Sequence, residues 1–383
     1  MSRSQHGSDV YAGHVRSGFE AVAEEFARNL TERGDQGSAF AVFRSGEPLV
    51  DLWGGTRDQA GAERWEHGTA AAIYSGTKGL AAACIALLVE RGQLDMTAPV
   101  CRYWPEFGQS GKGDITVAEL LSHRGGLAGL ETPVTLEEAT RSHEMALLLA
   151  KQRPIRRGEL SYHALTFGWL CDALIRRIDG RTTGRMFHEE FAGPMNLDIW
   201  IGVPARVEVR VAWTQTLAGE ASPGAQAEIG SPEWSVWRNP PRVGVEPLPA
   251  NLRRWRAAEI PASNGVATAR SMARLYDLLL SADTARSLLS RETLVAVVSR
   301  LADAEEPNLR QRMAFGLGFQ LQAGSEPFGP FRAAFGHAGT GGSVHGADPI
   351  SGLSFSYVTR TLDLSQRDVR ASSLLFAVAS CLG

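Results

Sequence analysis

Ser75 and Lys78 stand three positions apart at the head of a long apolar run, in the segment Tyr74-Ser75-Gly76-Thr77-Lys78. On a helix, three residues is nearly one turn, so a hydroxyl and an amine at this spacing project from one face and come within hydrogen-bond reach. A serine armed by a neighbouring neutral amine is one way to build a nucleophile for acyl transfer. Taken alone the spacing also fits an N-cap serine followed by a solvated lysine. Context adds to it. Residues 79–91 read GLAAACIALLVER, apolar nearly all round and stopped at Gly92, which predicts a helix buried along much of its length. A lysine in the first turn of such a helix loses the water that stabilises its charge, and its pKa falls.

The elements that must position this pair follow from periodicity. Apolar residues at helical spacing (Phe19, Val22, Ala23, Phe26, Leu30) predict an amphipathic helix over 15–31. Two β-rich runs, 38–42 and 49–53, flank the turn-like cluster Arg44-Ser45-Gly46-Glu47-Pro48 and predict a hairpin. The chain then reads as mostly helical from 75 to 289, most clearly over 115–121, 165–178 and 269–280. Residues 213–255 are rich in Pro, Gly and Trp and predict a long loop or lid. Strand character returns over 315–322, 333–335, 342–346 and 353–359, before a closing helix over 366–381. Strands at both ends with helices between them predict an α/β (α+β) fold, with one sheet completed by distant segments and carrying a helical insertion. The expected organisation is one catalytic unit over 1–383, with a sheet-containing lobe (15–70 and 305–383) and a mainly helical lobe (71–304).

Bulk properties narrow the function. The 383 residues are 44% hydrophobic and 21% charged, with a formal charge of −3 and pI near 6.3. That balance gives no reason to expect nucleic acid or an anionic membrane as partner. No segment has the uninterrupted apolar length of a membrane span, and residues 1–15 contain no apolar run of signal-peptide type, so the expected location is cytoplasmic. The four cysteines (Cys84, Cys101, Cys171, Cys381) form no C-x-x-C pair and the nine histidines show no metal spacing, so neither a metal nor a cofactor is expected.

With its parts in this order the chain resembles the serine β-lactamase and penicillin-binding-protein superfamily, and most closely the class C-like branch of family VIII carboxylesterases and related acyltransferases. The resemblance rests on residues 50–55 (VDLWGG), Tyr74 to Lys78, residues 90–95 (ERGQLD), 115–123 (ITVAELLSH) with Gly125-Gly126-Leu127, Ser161-Tyr162-His163-Ala164, residues 261–265 (PASNG), and Gly336 to Gly342 (GHAGTGG). It implies a β-lactamase-like two-lobed fold and an acyl-enzyme on Ser75, with Lys78 and Tyr162 as its catalytic partners. A neighbouring ammonium would lower the Tyr162 pKa and let the phenol shuttle a proton. The terminal strand segment His337, Ala338, Gly339 and Thr340 would line the substrate opposite the serine, with the Ser75 and Thr340 amides as the oxyanion hole.

Each residue also has a plainer reading. Tyr162 fits a core aromatic at a helix start, His337 a satisfied strand histidine, His123 a loop-holding ring, and the tryptophans Trp213, Trp234, Trp237 and Trp255 core filling or a pocket wall. Two departures matter. Where the superfamily has the asparagine of Y-x-N the chain has Ala164, and His337 replaces the K-T-G lysine. Both positions help hold a β-lactam or peptide, so the resemblance favours a carboxylesterase acting on small esters. The alternatives are a biosynthetic acyltransferase with the same acyl-enzyme, a β-lactamase or D-alanyl-peptidase, and a non-catalytic binding protein on the same fold. The expected partner is a small ester or acyl substrate; the sequence leaves the oligomeric state open.

Overall fold

The strand Gly37–Arg44 (GSAFAVFR) is buried from Gly37 to Phe43, so both of its faces are covered. Phe40 and Val42 join one apolar cluster, whereas Ala39, Ala41 and Phe43 join another, as the two-residue repeat of a strand demands. The helices Glu20–Glu32 and Arg370–Ser380 supply the first cluster through Val22, Phe26, Leu374 and Val378. Helix Ala269–Leu280 packs on the other face, where the two alanines leave room for it.

This strand is the second of fourteen in the computed structural model, which describes residues 10–217, 224–242, 244–281, 287–324, 326–365 and 368–382. The strands are β1 (Tyr11–Val15), β2 (Gly37–Arg44), β3 (Glu47–Gly55), β4 (Ala71–Tyr74), β5 (Ile199–Trp200), β6 (Gln215–Thr216), β7 (Gly265–Ala267), β8 (Ala302–Glu306), β9 (Gln311–Phe315), β10 (Gln320–Leu321), β11 (Phe335–Ala338), β12 (Val344–Asp348), β13 (Leu353–Thr359) and β14 (Thr361–Leu362). Nine form one antiparallel sheet in the order β1-β3-β2-β13-β12-β11-β10-β9-β8. The two ends of the chain meet where β13 pairs with β2, with Tyr357 opposite Phe40. The expected α+β architecture is therefore the one the chain adopts, and the mainly helical insertion lies between β3 and β8, with helix Ala269–Leu280 returning to pack on β2 and β13. A three-stranded sheet, β4-β7-β5, lies within that insertion.

Several boundaries differ for identifiable reasons. The first helix begins at Glu20, because residues 11–15 instead pair with β3 along the sheet edge. The run 315–322 breaks into β9 and β10 at Gly318, whose φ of +85° suits glycine. Strand β8 (ADAEE) is acidic enough to hide from a hydrophobic pattern, and it forms the other edge, where charge is tolerated. The 213–255 segment holds β6 and two short helices, Pro232–Trp237 and Arg253–Ala257. Residues 218–223 and 243 within it, and 366–367 at the expected start of the closing helix, lie outside the described residues.

The turn after β11 docks the large sheet onto the small one. At Gly339 a Cβ would overlap the Ile73 carbonyl oxygen of β4 and the Ser343 hydroxyl, so the glycine serves the approach of two backbones. Because the Ile73 carbonyl cannot move without disturbing β4, Gly339→Ala should destabilise the fold by about 1–3 kcal/mol, the usual scale for overpacking. Denaturant melts check this, and an unchanged midpoint would show the docking to be loose.

Candidate active site

Strand β4 ends at Tyr74, whose φ of +45° turns the chain sharply. The Gly76 amide closes the turn on the Ile73 carbonyl at 2.8 Å, and helix Thr77–Glu90 begins at once. Thr77 fixes the turn from the side, donating its hydroxyl to the Tyr74 carbonyl (2.5 Å) and accepting the Gly265 amide of β7 (2.9 Å). Gly76 is obligatory, since a Cβ there would strike the buried His345 ring. Ser75 is thus held at the tip of a strand-to-helix bend, half-buried, while the helix behind it is buried from Thr77 to Leu88.

Lys78 has no exposed surface. Its Nζ lies 3.1 Å from Ser75 Oγ, 2.8 Å from the Ala164 carbonyl and 2.9 Å from the Ala262 carbonyl. Burial holds its pKa well below the ordinary lysine value, and the Arg242 charge pushes the same way. A neutral amine has two N–H groups and one lone pair. Two carbonyls take the N–H groups, which leaves the lone pair facing the serine hydroxyl.

Tyr162 closes the group. The Lys78 nitrogen is 4.9 Å from its ring centroid, and its hydroxyl contacts Ser75. Burial raises its pKa, and this outweighs the lowering by Ser75 and Arg242, so the phenol stays protonated. The sequence-based expectation of a depressed phenol pKa is thereby corrected: with Lys78 itself neutral, no ammonium stands beside the ring. Three successive amides around it are pinned. Ser161 donates to the His123 carbonyl (2.9 Å), Tyr162 to Glu306 (3.1 Å) and His163 to His123 Nδ1 (3.0 Å). The buried Glu306 also accepts from the Asn308 and Leu309 amides and the Asn308 side chain. His123 therefore holds loop backbone, at the cost of a φ of +64°.

The space in front of Ser75 is small, about 30 Å³, and is lined by Tyr74, Ser75, Ala164, Trp237, Arg242, Ser263 and Thr340. Neither the Ser75 nor the Thr340 amide has a hydrogen-bond partner among the described residues. Of the predicted terminal-strand residues only Thr340 reaches this space. His337 is buried behind Tyr162, 6.1 Å between ring centroids, with Nδ1 on the Ala338 carbonyl and its pKa pushed down to about 3 by burial. Ala338 donates its amide to Gln320, and Gly339 serves the docking described above. Among the four tryptophans, Trp237 faces the cavity, while Trp255 is core.

Sequence reasoning assigns no role to three residues here. Asn264 ties the 255–264 loop to itself, accepting the Ile260 amide and donating to the Trp255 and Ala258 carbonyls, and so presents the Ala262 carbonyl to Lys78. Glu306 and Arg242 are the others. The P-A-S-N-G motif flagged the first; nothing local distinguishes the other two from surface charges.

Such a set can draw a proton from the serine and hold the charge that develops on an attacked carbonyl, so fold and site together define a serine acyl-transfer enzyme. The chain belongs to the β-lactamase family, whose model matches residues 23–379. It is 35% identical over 354 residues to the esterase/β-lactamase LipL of Mycobacterium tuberculosis, covering 90% of this chain and 81% of that one. Among solved structures it is similar to a family VIII carboxylesterase (31% identity, TM-score 0.89, 97% and 99% of the two chains). A penicillin-binding-protein homologue from Caulobacter crescentus matches at 33% identity and TM-score 0.87 over the same shares.

The Lys78 pKa carries a signature in stability. The unfolded chain binds the lysine proton up to pH ~10.4, whereas the folded chain does not, so stability rises with pH over that window by up to about 1.4 kcal/mol per unit. Lys78→Met lacks this slope. The difference in unfolding free energy between wild type and Lys78→Met should therefore move in favour of wild type from pH 7 to pH 9. An equal difference at both would mean that the folded protein carries a charged lysine.

Proposed function

We propose that this protein is a serine carboxylesterase that hydrolyses small esters through an acyl-enzyme on Ser75. The observation that carries the reading is the Lys78 amine, dry and held by two carbonyls with its remaining valence towards the serine. In the reaction Ser75 Oγ attacks the ester carbonyl as its proton passes to Lys78, and the Ser75 and Thr340 amides donate to the oxyanion. The leaving alkoxide takes a proton from the neutral Tyr162 phenol, which is restored from the Lys78 ammonium. Burial makes that ammonium short-lived. Water then attacks the acyl-enzyme with the same groups working in reverse.

Water is taken as the acceptor because relatives similar to this chain are named an esterase/β-lactamase and a family VIII carboxylesterase. Alanine at 164 and a histidine withdrawn from the cavity at 337 favour esters over β-lactams as substrates. The unpaired cysteines fit a cytoplasmic setting.

Turnover of 4-nitrophenyl acetate and butyrate should exceed that of nitrocefin, and the reverse order would make this a β-lactamase. Ser75→Ala should abolish hydrolysis, and Lys78→Ala and Tyr162→Phe should each cost about two to four orders of magnitude in kcat. Intact mass after treatment with a fluorophosphonate should show one adduct in wild type and none in Ser75→Ala. A wild-type protein that takes no label would be a scaffold that has lost the chemistry.

A further inference from the structure

Arg242 is 9% exposed and lines the same cavity as Ser75, Ser263 and Thr340. Its guanidinium donates to the Pro240 and Val236 carbonyls, each at 3.2 Å and each on its own segment. No carboxylate lies within ion-pair range of it among the described residues. Other buried arginines differ. Arg370 pairs with Asp368 and has Asp35 at 3.9 Å, and Arg360 has Asp58 and Asp35 near enough to stabilise its charge. For Arg242 the neighbour that does so is the Tyr162 phenol, which is neutral.

A buried charge without a counter-charge is destabilising, and a fold keeps one only where something else compensates it. Burial lowers the Arg242 pKa to about 10, which still leaves a cation at neutral pH. A guanidinium has five N–H donors in a planar fork. The two carbonyls leave part of this fork free, in the wall of a cavity that has no other cation among its lining residues. The chemistry that matches such a fork is a carboxylate, taken in two parallel hydrogen bonds.

We infer that Arg242 anchors an anionic group of the substrate, so that the preferred esters carry a carboxylate near the scissile carbonyl. The inference rests on the esterase reading and names the substrate class of that site. The anion completes the ion pair that the described residues do not supply, and in doing so it sets the carbonyl against Ser75 and the two free amides. Trp237, on the same segment and in the same wall, gives the rest of the acid an apolar surface.

Matched ester pairs test this, with uncatalysed rates subtracted. For a carboxylate on the acyl side, 4-nitrophenyl hemisuccinate is compared with 4-nitrophenyl butyrate; for the alcohol side, 3-acetoxybenzoate with phenyl acetate. In at least one pair kcat/KM should favour the charged ester by about tenfold or more, and Arg242→Met should cut that ratio by a similar factor while Arg242→Lys keeps part of it. The ratio is the readout, since loss of Arg242 also alters the field on Lys78 and Tyr162. Equal rates in both pairs, or a ratio indifferent to Arg242→Met, overturn the assignment. Succinate should raise the melting temperature of wild type and not of Arg242→Met. Should no ester be turned over, the esterase reading fails, and the succinate shift alone decides on the anion site. Should Arg242→Met not fold, the wild-type ratios and the behaviour of Arg242→Lys decide it.

Discussion

One nitrogen has to be kept dry, uncharged and aimed at a serine, and most of the molecule can be understood from that constraint. Lys78 is stripped of water by a helix that is apolar on every side, and it is prevented from recovering its proton cheaply by the nearby Arg242 charge. Its two N–H groups are satisfied by carbonyls from segments far apart in the chain, at Ala164 and Ala262. Had either been missing, a buried donor would be unpaired or the amine would turn from Ser75. The geometry therefore needs three parts of the chain to agree on one atom.

Rigid supports make that agreement possible. Ser75 sits on a bend locked by Thr77 and roofed by His345, Tyr162 on a backbone held by His123 and Glu306, and Ala262 on a loop folded around Asn264. The histidines in this region are buried and driven neutral, His163 to about pH 4 and His337 and His345 to about pH 3. As weak bases they do not compete for the proton in the relay proposed for Ser75, Lys78 and Tyr162.

Against the resemblance that the sequence carries, the two departures have clear structural consequences. At position 164 the backbone carbonyl holds Lys78, and a side chain as small as alanine leaves the cavity wall bare. At position 337 the imidazole is absent from the cavity lining and packs behind Tyr162 against Phe315. Positive charge at the cavity comes instead from Arg242. The Ser75–Lys78 pair keeps its spacing while the residues around the cavity differ.

Ser75, Lys78 and the buried helix behind them were legible in the sequence because all three are local. The spacing lies within one helical turn and the apolar run is continuous. The helix at 269–280, the hairpin of β2 and β3, and β13 were legible for the same reason, since periodicity is a property of neighbouring residues. Tyr162 was reached through the resemblance rather than through any local pattern. What tertiary structure alone decided are the relations between distant segments: that β4, a strand of only four residues, presents Ser75 at its end; that Glu306 on an acidic edge strand holds Tyr162; that His337 faces inward; and that Arg242 meets the cavity with no acid beside it among the described residues. A charge in a sequence looks the same whether water or protein surrounds it. Only packing removes the water, and the removal is what lowers the Lys78 pKa and leaves Arg242 a charge in a cavity wall.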